Sequence, residues 1–373
     1  MRSYYPTELI FAVGAAEQLQ TQLDQRGVRR PLFVSDEGVA AAGLVDKVRG
    51  ALADPAASAV FAETCENPLV SDVEKALAIY REAGCDGIVA LGGGSSIDCA
   101  KSVALTSTHE GALRDYAATR PQPLPIGPDV APLIAIPTTA GTGSEVGRGI
   151  GLSEHEGAPK MVIYGEALIP KVTICDPLLT VTMPAAVTAA SGVDALSHCI
   201  EGYLSTTDHP VADALALSAI ERIVVALPKA VANGSDLEAR GQMLLSAAMG
   251  GMAMHKGLGP AHAAGVPLDL LGIRHGVLVG ILLPHALRFL EPAVGARLDR
   301  IAQAMGLDDG SQVAGAVTRL NDTVGLPARL MEVGVERHHI PPAAAEAEGS
   351  FFNKLSARQG TAQDYEAILE AAL

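Results

Sequence analysis

Asp194 and His198 stand four residues apart in the segment GVDALSHCIEG, residues 192–202, which is otherwise apolar or small. On a helix, residues at i and i+4 share a face, so one carboxylate and one imidazole can reach a common ion. A buried Asp without a partner is costly, so Asp194 must be paired, hydrogen-bonded or metal-bound. Two further histidines fall in the same helical half of the chain: His262 in GLGPAHAAGVPL and His275 in GIRHGVLVGILLPHAL. One carboxylate and three imidazoles suit a borderline divalent ion, Zn or Fe(II), with a position left open for substrate. Any one of these histidines alone reads more simply as a packed core or surface residue. His109, His155, His209, His285, His338 and His339 have no such partner at ligand spacing and are expected to be structural or solvated.

A second chemistry is written in glycine. LGGGSSIDCAK (91–101) sets three glycines after an apolar strand and opens a helix, which aims backbone N–H groups and a positive helix end at one spot. The segment is not G-x-G-x-x-G, and taken alone it reads equally as a tight turn. A similar loop follows the next strand: PTTAGTGSEV (137–146) offers the hydroxyls of Thr138, Thr139, Thr142 and Ser144. Two phosphate-friendly loops at the carboxyl ends of parallel strands are where an open α/β sheet binds a nucleotide. Asp36 ends the run LFVSD. A carboxylate there can accept from a ribose and repel a 2′-phosphate, favouring NAD over NADP, and it can also simply cap a helix.

These residues need a scaffold, and the chain shows two kinds. The first half alternates apolar β-branched runs with helical patterns, the signature of a parallel sheet covered on both faces. Strands are expected at 31–36, 59–63, 86–91, 132–137 and 171–176. Helices are expected at 71–84, with Ser71 as cap and a closing Gly84, and at 96–105. After about residue 180 the strand signals stop, and long helical patterns follow at 210–231 and 237–254. The segment IPPAAAEAEGS (340–350) reads as an exposed interruption. Pro177 and Pro184 punctuate the change, which places an α/β dinucleotide-binding domain with a parallel, Rossmann-like sheet at 1–180 and an all-α, metal-binding and catalytic domain at 181–373.

Composition bounds the function. With 373 residues, two domains have ample core, and 49% hydrophobic residues with 3% aromatics call for interiors of Ala, Val, Leu and Ile. The formal charge of −15, without a long Lys/Arg run, argues against nucleic acid as partner. The start MRSYYPTELIF lacks the apolar core of a secretory signal, and no uninterrupted apolar stretch approaches bilayer length, so a cytoplasmic chain with no membrane partner is expected. Five scattered cysteines without a C-x-x-C pair suggest neither a disulfide framework nor a thiolate metal cage.

Taken in order, GGGSSID, IPTTAGTGSEV, GVDALSHCIEGY, GLGPAHAAGVPL and RHGVLVGILLPHAL resemble the motifs of the group III, iron-containing alcohol dehydrogenases, a branch of the dehydroquinate-synthase-like fold, from about Phe11 to Phe289. The resemblance implies catalysis in a cleft between the two domains. It implies Asp194, His198, His262 and His275 as ligands of Fe(II), sometimes Zn. Gly92, Gly93, Gly94 and Ser95 would hold the pyrophosphate of NAD and Asp36 the adenosine ribose. Thr138, Thr139 and Thr142 would lie on the nicotinamide side, and Lys160 near a cofactor ribose. Asp98 and Ser144, in the same loops, belong to that cofactor set. Relatives are often dimers or larger, so a homo-oligomer, a dimer, is expected.

Two departures matter. Where relatives carry a histidine beside the nicotinamide, four residues after the first C-terminal histidine ligand, this chain has Val266, so His255 or a water chain is expected to carry the proton. Where relatives carry Thr, Asn or an apolar residue, this chain has Arg148, which with Lys256 could hold an anionic group. The expected activity is hydride transfer between a nicotinamide cofactor and a small alcohol or aldehyde, acid-bearing if Arg148 serves that role. The alternatives are a metal-dependent polyol dehydrogenase, a dehydroquinate-synthase-like lyase using NAD transiently, or an inactive nucleotide-binding or assembly subunit.

Overall fold

The structure, a computed structural model, describes residues 7–373, so the part of the leader reading that rests on residues 1–6 lies outside the described residues. The chain forms two compact units. Of the described residues, one holds 7–139 with Ser144–Thr182, and the other holds Ala140–Gly143 with Met183–Leu373.

Among the described residues the first unit carries eight strands: β1 (Glu8–Phe11), β2 (Pro31–Val34), β3 (Ala59–Phe61), β4 (Gly87–Gly92), β5 (Leu133–Pro137), β6 (Gly149–Leu152), β7 (Met161–Tyr164) and β8 (Val172–Cys175). Six make one sheet in the order β1-β8-β5-β4-β2-β3, every pairing parallel, while β6 and β7 form an antiparallel pair. Its helices are α1 (Leu19–Gln25), α2 (Glu37–Ala41), α3 (Leu44–Arg49), α4 (Val70–Glu82) and α5 (Gly94–Thr106). Successive strand side chains point to opposite faces. Leu32, Val34, Ile88 and Ala90 therefore enter a core with α4, α5 and β6, while Phe33, Val89, Leu91 and Ile134 enter another with α1 and α3. The parallel, doubly covered sheet expected from the alternating pattern is what forms.

The strand order also fixes where a ligand can enter. From β2 the chain moves outward to β3, whereas from β4 it moves the opposite way to β5 and then β8. The connections after β2 and β4 diverge, which opens a crevice at the carboxyl ends of these neighbours. One cap differs from expectation: α4 begins at Val70, Asp72 accepts the Leu69 N–H at 3.1 Å, and Ser71 lies inside the first turn. Gly84, at φ +60°, closes the helix as expected.

The second unit is helical: α6 (Ala185–Leu204), α7 (Pro210–Ala232), α8 (Leu237–Ala253), α9 (Pro260–Gly265), α10 (His275–Val294), α11 (Ala296–Ala304), α12 (Val313–Val324), α13 (Ile340–Gly349), α14 (Phe351–Leu355) and α15 (Ala362–Ala372). α13 overturns the reading of 340–350 as an interruption. Its prolines stand in the first turn, where the missing N–H costs nothing and the fixed φ favours a helix. α10 has the length and mean hydropathy of a bilayer span, but His285, Arg288 and Glu291 interrupt it and most of it is buried, as in the core helix of a folded domain. Gly276 lets α10 approach α6, because a Cβ there would lie 2.2 Å from the Ala190 carbonyl oxygen and 3.2 Å from Asp194 Cβ. Four of the five cysteines are buried, and none forms a disulfide.

A candidate metal centre and a candidate nucleotide site

β4 ends at Gly92 and α5 begins at Gly94, so Gly93 occupies the cap position, with no side-chain capping bond. The first-turn N–H groups of this thirteen-residue helix have no intrahelical acceptors, and the positive helix end lies with them. The glycines are needed for space. A Cβ on Gly92 would stand 2.4 Å from Ser96 Oγ, and one on Gly93 would stand 3.1 Å from Thr139 Oγ1. The Thr138 N–H donates to the Gly92 carbonyl at 3.0 Å, which ties the second loop to the first.

The side chains around this turn are bonded among themselves. Asp36 caps α2 by accepting the Val39 N–H at 3.0 Å, and its other oxygen accepts from Ser96 Oγ at 3.0 Å. Ser95 donates its hydroxyl to the Glu66 carbonyl. Asp98 accepts from Ser144 Oγ and, at 2.8 Å, from the Gly151 N–H, and burial pushes its carboxyl upward. Lys101, fully buried, donates to Ser144 Oγ and to the carbonyls of Gly147 and Gly149 at 2.8–2.9 Å. Burial pushes its ammonium down to about 8 and lifts the neighbouring Glu145 carboxyl to about 7. Lys160 lies just before β7, against Gly151. Thr142 is exposed and sits in the short segment grouped with the helical unit. There Gly143 packs on α8 so closely that a Cβ would fall 2.5 Å from Gly251 Cα.

In the helical unit, α6 presents Asp194 and His198, α9 presents His262, and α10 begins with His275. The Nε2 atoms of His198, His262 and His275 lie 3.6, 3.9 and 3.8 Å from Asp194 Oδ1. The donor atoms of Asp194, His262 and His275 all fall within 4.8 Å of one another. Four ligands placed about 2.1 Å from one tetrahedral ion stand roughly 3.4 Å apart. The mutual spacing of Asp194, His262 and His275 suits a single ion, and His198 joins them through its approach to Asp194, outside that cluster of three. Buried Asp194 Oδ1 and His262 Nε2 have no hydrogen-bond partner, as ligand atoms would not. Burial pushes the His198 imidazole down to about 4, leaving a neutral ring at pH 7 with a lone pair to give. The donor set therefore fits a divalent ion by chemistry as well as by spacing.

Two carboxylates that the spacing argument did not single out lie behind these rings. Glu201, 1% exposed, stands 2.6 Å from His262 Nδ1 and accepts the Ala261 N–H at 2.7 Å. Asp269 stands 3.0 Å from His275 Nδ1. His198 differs, since its buried Nδ1 has no hydrogen-bond partner. Glu201 was legible, because it follows Asp194 by seven residues and so shares its helix face. Asp269 had no comparable signal, since it reaches His275 from a 3-10 turn, Val266–Leu271.

Of the remaining candidates, His255 is half-buried in the 3-10 turn Met254–Lys256, and Val266 is half-buried directly after α9. Arg148 is exposed beside Tyr164, whose phenol feels its charge. Lys256 is not available to a substrate anion. Its side chain is fully buried, paired with Asp213 and bonded to the Tyr203 carbonyl at the end of α6. His109 accepts the Gly127 N–H, and His209 caps α7, in keeping with their structural reading.

Known proteins match over the whole chain. A family model described as iron-containing alcohol dehydrogenase covers residues 6–177, and one described as the C-terminal part of the Fe-containing alcohol dehydrogenase family covers 188–373. A 4-hydroxybutyrate dehydrogenase of Cupriavidus necator is 40% identical, covering 99% of this chain and 99% of its own. The crystal structure of a 1,3-propanediol oxidoreductase superposes with a TM-score of 0.94 at 36% identity, covering 100% of this chain and 99% of its own. A sulfoacetaldehyde reductase from Bifidobacterium kashiwanohense, in complex with NAD+, superposes with a TM-score of 0.92 at 27% identity, covering 100% and 98%. Hydride transfer between a nicotinamide cofactor and an alcohol or aldehyde, with NAD and iron as cofactors, is the activity to which these matches point. With both halves matched, the chain belongs to the iron-containing alcohol dehydrogenase family.

Proposed function

We propose that this chain interconverts a small hydroxy acid and the corresponding acid-bearing aldehyde, using NAD in preference to NADP, with Asp194, His198, His262 and His275 holding the metal. The observation that carries the reading is the convergence of three imidazole Nε2 atoms on the unpartnered Asp194 Oδ1. When bound, the ion supplies Lewis acidity toward the substrate oxygen and the dinucleotide supplies the hydride carrier. The rest falls to the protein. The first-turn N–H groups of α5 hold the pyrophosphate, with Gly92 and Gly93 giving backbone access and Thr138 and Thr139 lining the neighbouring loop. Asp36, at the crevice between β2 and β4, takes the ribose hydroxyls and opposes a 2′-phosphate.

The acid-bearing substrate is supported by Arg148, an exposed guanidinium on the segment leading into β6, and by relatives named for 4-hydroxybutyrate and sulfoacetaldehyde. With Val266 where relatives place a histidine, His255 is the proposed proton carrier. His255→Ala should then lower kcat by about 10²-fold or more, leaving metal content intact. A cytoplasmic homodimer is the proposed working form, which analytical ultracentrifugation checks directly. The deciding experiment is steady-state NADH formation with 4-hydroxybutyrate against 1,3-propanediol, for the unsubstituted chain and Arg148→Ala. A preference for the acid that disappears in the variant supports the reading. No preference in the unsubstituted chain refutes it.

A further inference from the structure

The tautomer of His262 is set by a neighbour outside the ligand set. Nε2 of this ring faces Asp194 Oδ1, so its proton must reside on Nδ1 for Nε2 to offer a lone pair. Nδ1 lies 2.6 Å from Glu201 Oε2, and the other oxygen, Oε1, accepts the Ala261 N–H at 2.7 Å. Gly259 makes room for this carboxylate, since a Cβ there would meet Glu201 Oε1 at 2.9 Å.

We propose that Glu201 is a positioning residue whose two oxygens together fix the ring orientation and the Nδ1–H tautomer of His262 and so set the affinity of the metal centre. The inference rests on the reading of Asp194, His198, His262 and His275 as ligands. Three donors face the two oxygens, the Ala261 N–H on Oε1 and the His262 N–H and Nδ1–H on Oε2, and only a carboxylate offers an acceptor on both sides. A glutamine of the same size has one oxygen. If it serves the Ala261 N–H, its NH2 meets Nδ1 and drives the ring proton to Nε2, where it blocks the ligand atom. If it serves Nδ1–H, its NH2 opposes the Ala261 N–H. His198, whose Nδ1 has no hydrogen-bond partner, has no equivalent restraint.

The test compares the unsubstituted full chain with Glu201→Gln. Zinc affinity is measured by competition with a chelator, the metal-free thermal midpoint is recorded alongside, and the cobalt-loaded visible spectrum reports ligand geometry. Zinc binding about 10–100-fold weaker, with an altered cobalt spectrum, is the expected result. An unchanged zinc dissociation constant in folded Glu201→Gln overturns the proposal. Should that variant fail to fold, 15N-histidine NMR of the zinc-loaded unsubstituted chain decides: a proton on His262 Nδ1 supports it, and zinc on Nδ1 overturns it. If the unsubstituted chain takes up no zinc, the metal-centre reading falls and the inference with it.

Discussion

The two candidate sites are built from different materials. At the turn after β4, the polar side chains of Asp36, Ser95, Asp98 and Ser144 are bonded within the protein, and what faces outward is the backbone of α5's first turn. Around Asp194 the relation is reversed. Backbone groups are consumed by helices or, at the start of α9, by the Glu201 carboxylate, and side-chain atoms such as Asp194 Oδ1 and His262 Nε2 are left without hydrogen-bond partners. A phosphate is large, diffuse and anionic, so several N–H dipoles suit it. A divalent ion needs a few short bonds from lone pairs, which helical backbone cannot supply. Substitutions in the helical unit should therefore act by removing a named atom, whereas those at the turn should act by denying space.

The largest effect is expected for His262→Ala, which should lose bound metal and turnover together, as read by elemental analysis and NADH formation. Full retention of both would remove His262 from the ligand set. Next comes Gly93→Val, which crowds Thr139 and displaces the turn. A misplacement of roughly 1 Å costs about 10²-fold, and the loss should appear as a raised KM for NAD while metal content stays constant. Should metal content fall instead, the separation between the two sites would be wrong. The smallest effect is expected for Asp36→Ala. It removes the α2 cap, costing about 1 kcal/mol by denaturant titration, and narrows the preference for NAD over NADP. An unaltered cofactor preference would leave Asp36 a cap and nothing more.

Much of this was readable in the chain because the signals were local. Three-glycine turns, apolar strand runs and an Asp–His pair at helical spacing each state their geometry within about ten residues. β1 and the β6–β7 pair were missed because four-residue strands, one of them half glycine in GIGL, carry little alternation and depend on partners distant in sequence. The segment 340–350 reads as an interruption yet forms α13, because Pro341 and Pro342 stand at the helix start, where they favour it. The cap of α4 was assigned to Ser71 by residue type, but Asp72 makes the bond that closes the first turn. Lys256 shows the limit most plainly. A lysine beside the motif suggested an anion site, and burial against Asp213 turned it into a clamp on the end of α6.

The measurement that bears most directly on the metal centre is an anomalous-scattering map from crystals of the metal-loaded full chain. One strong peak per chain, within about 2.0–2.3 Å of Asp194 Oδ1 and of the Nε2 atoms of His198, His262 and His275, is the expected result. A strong peak held by other residues, with these four side chains turned away from any common point, would contradict it.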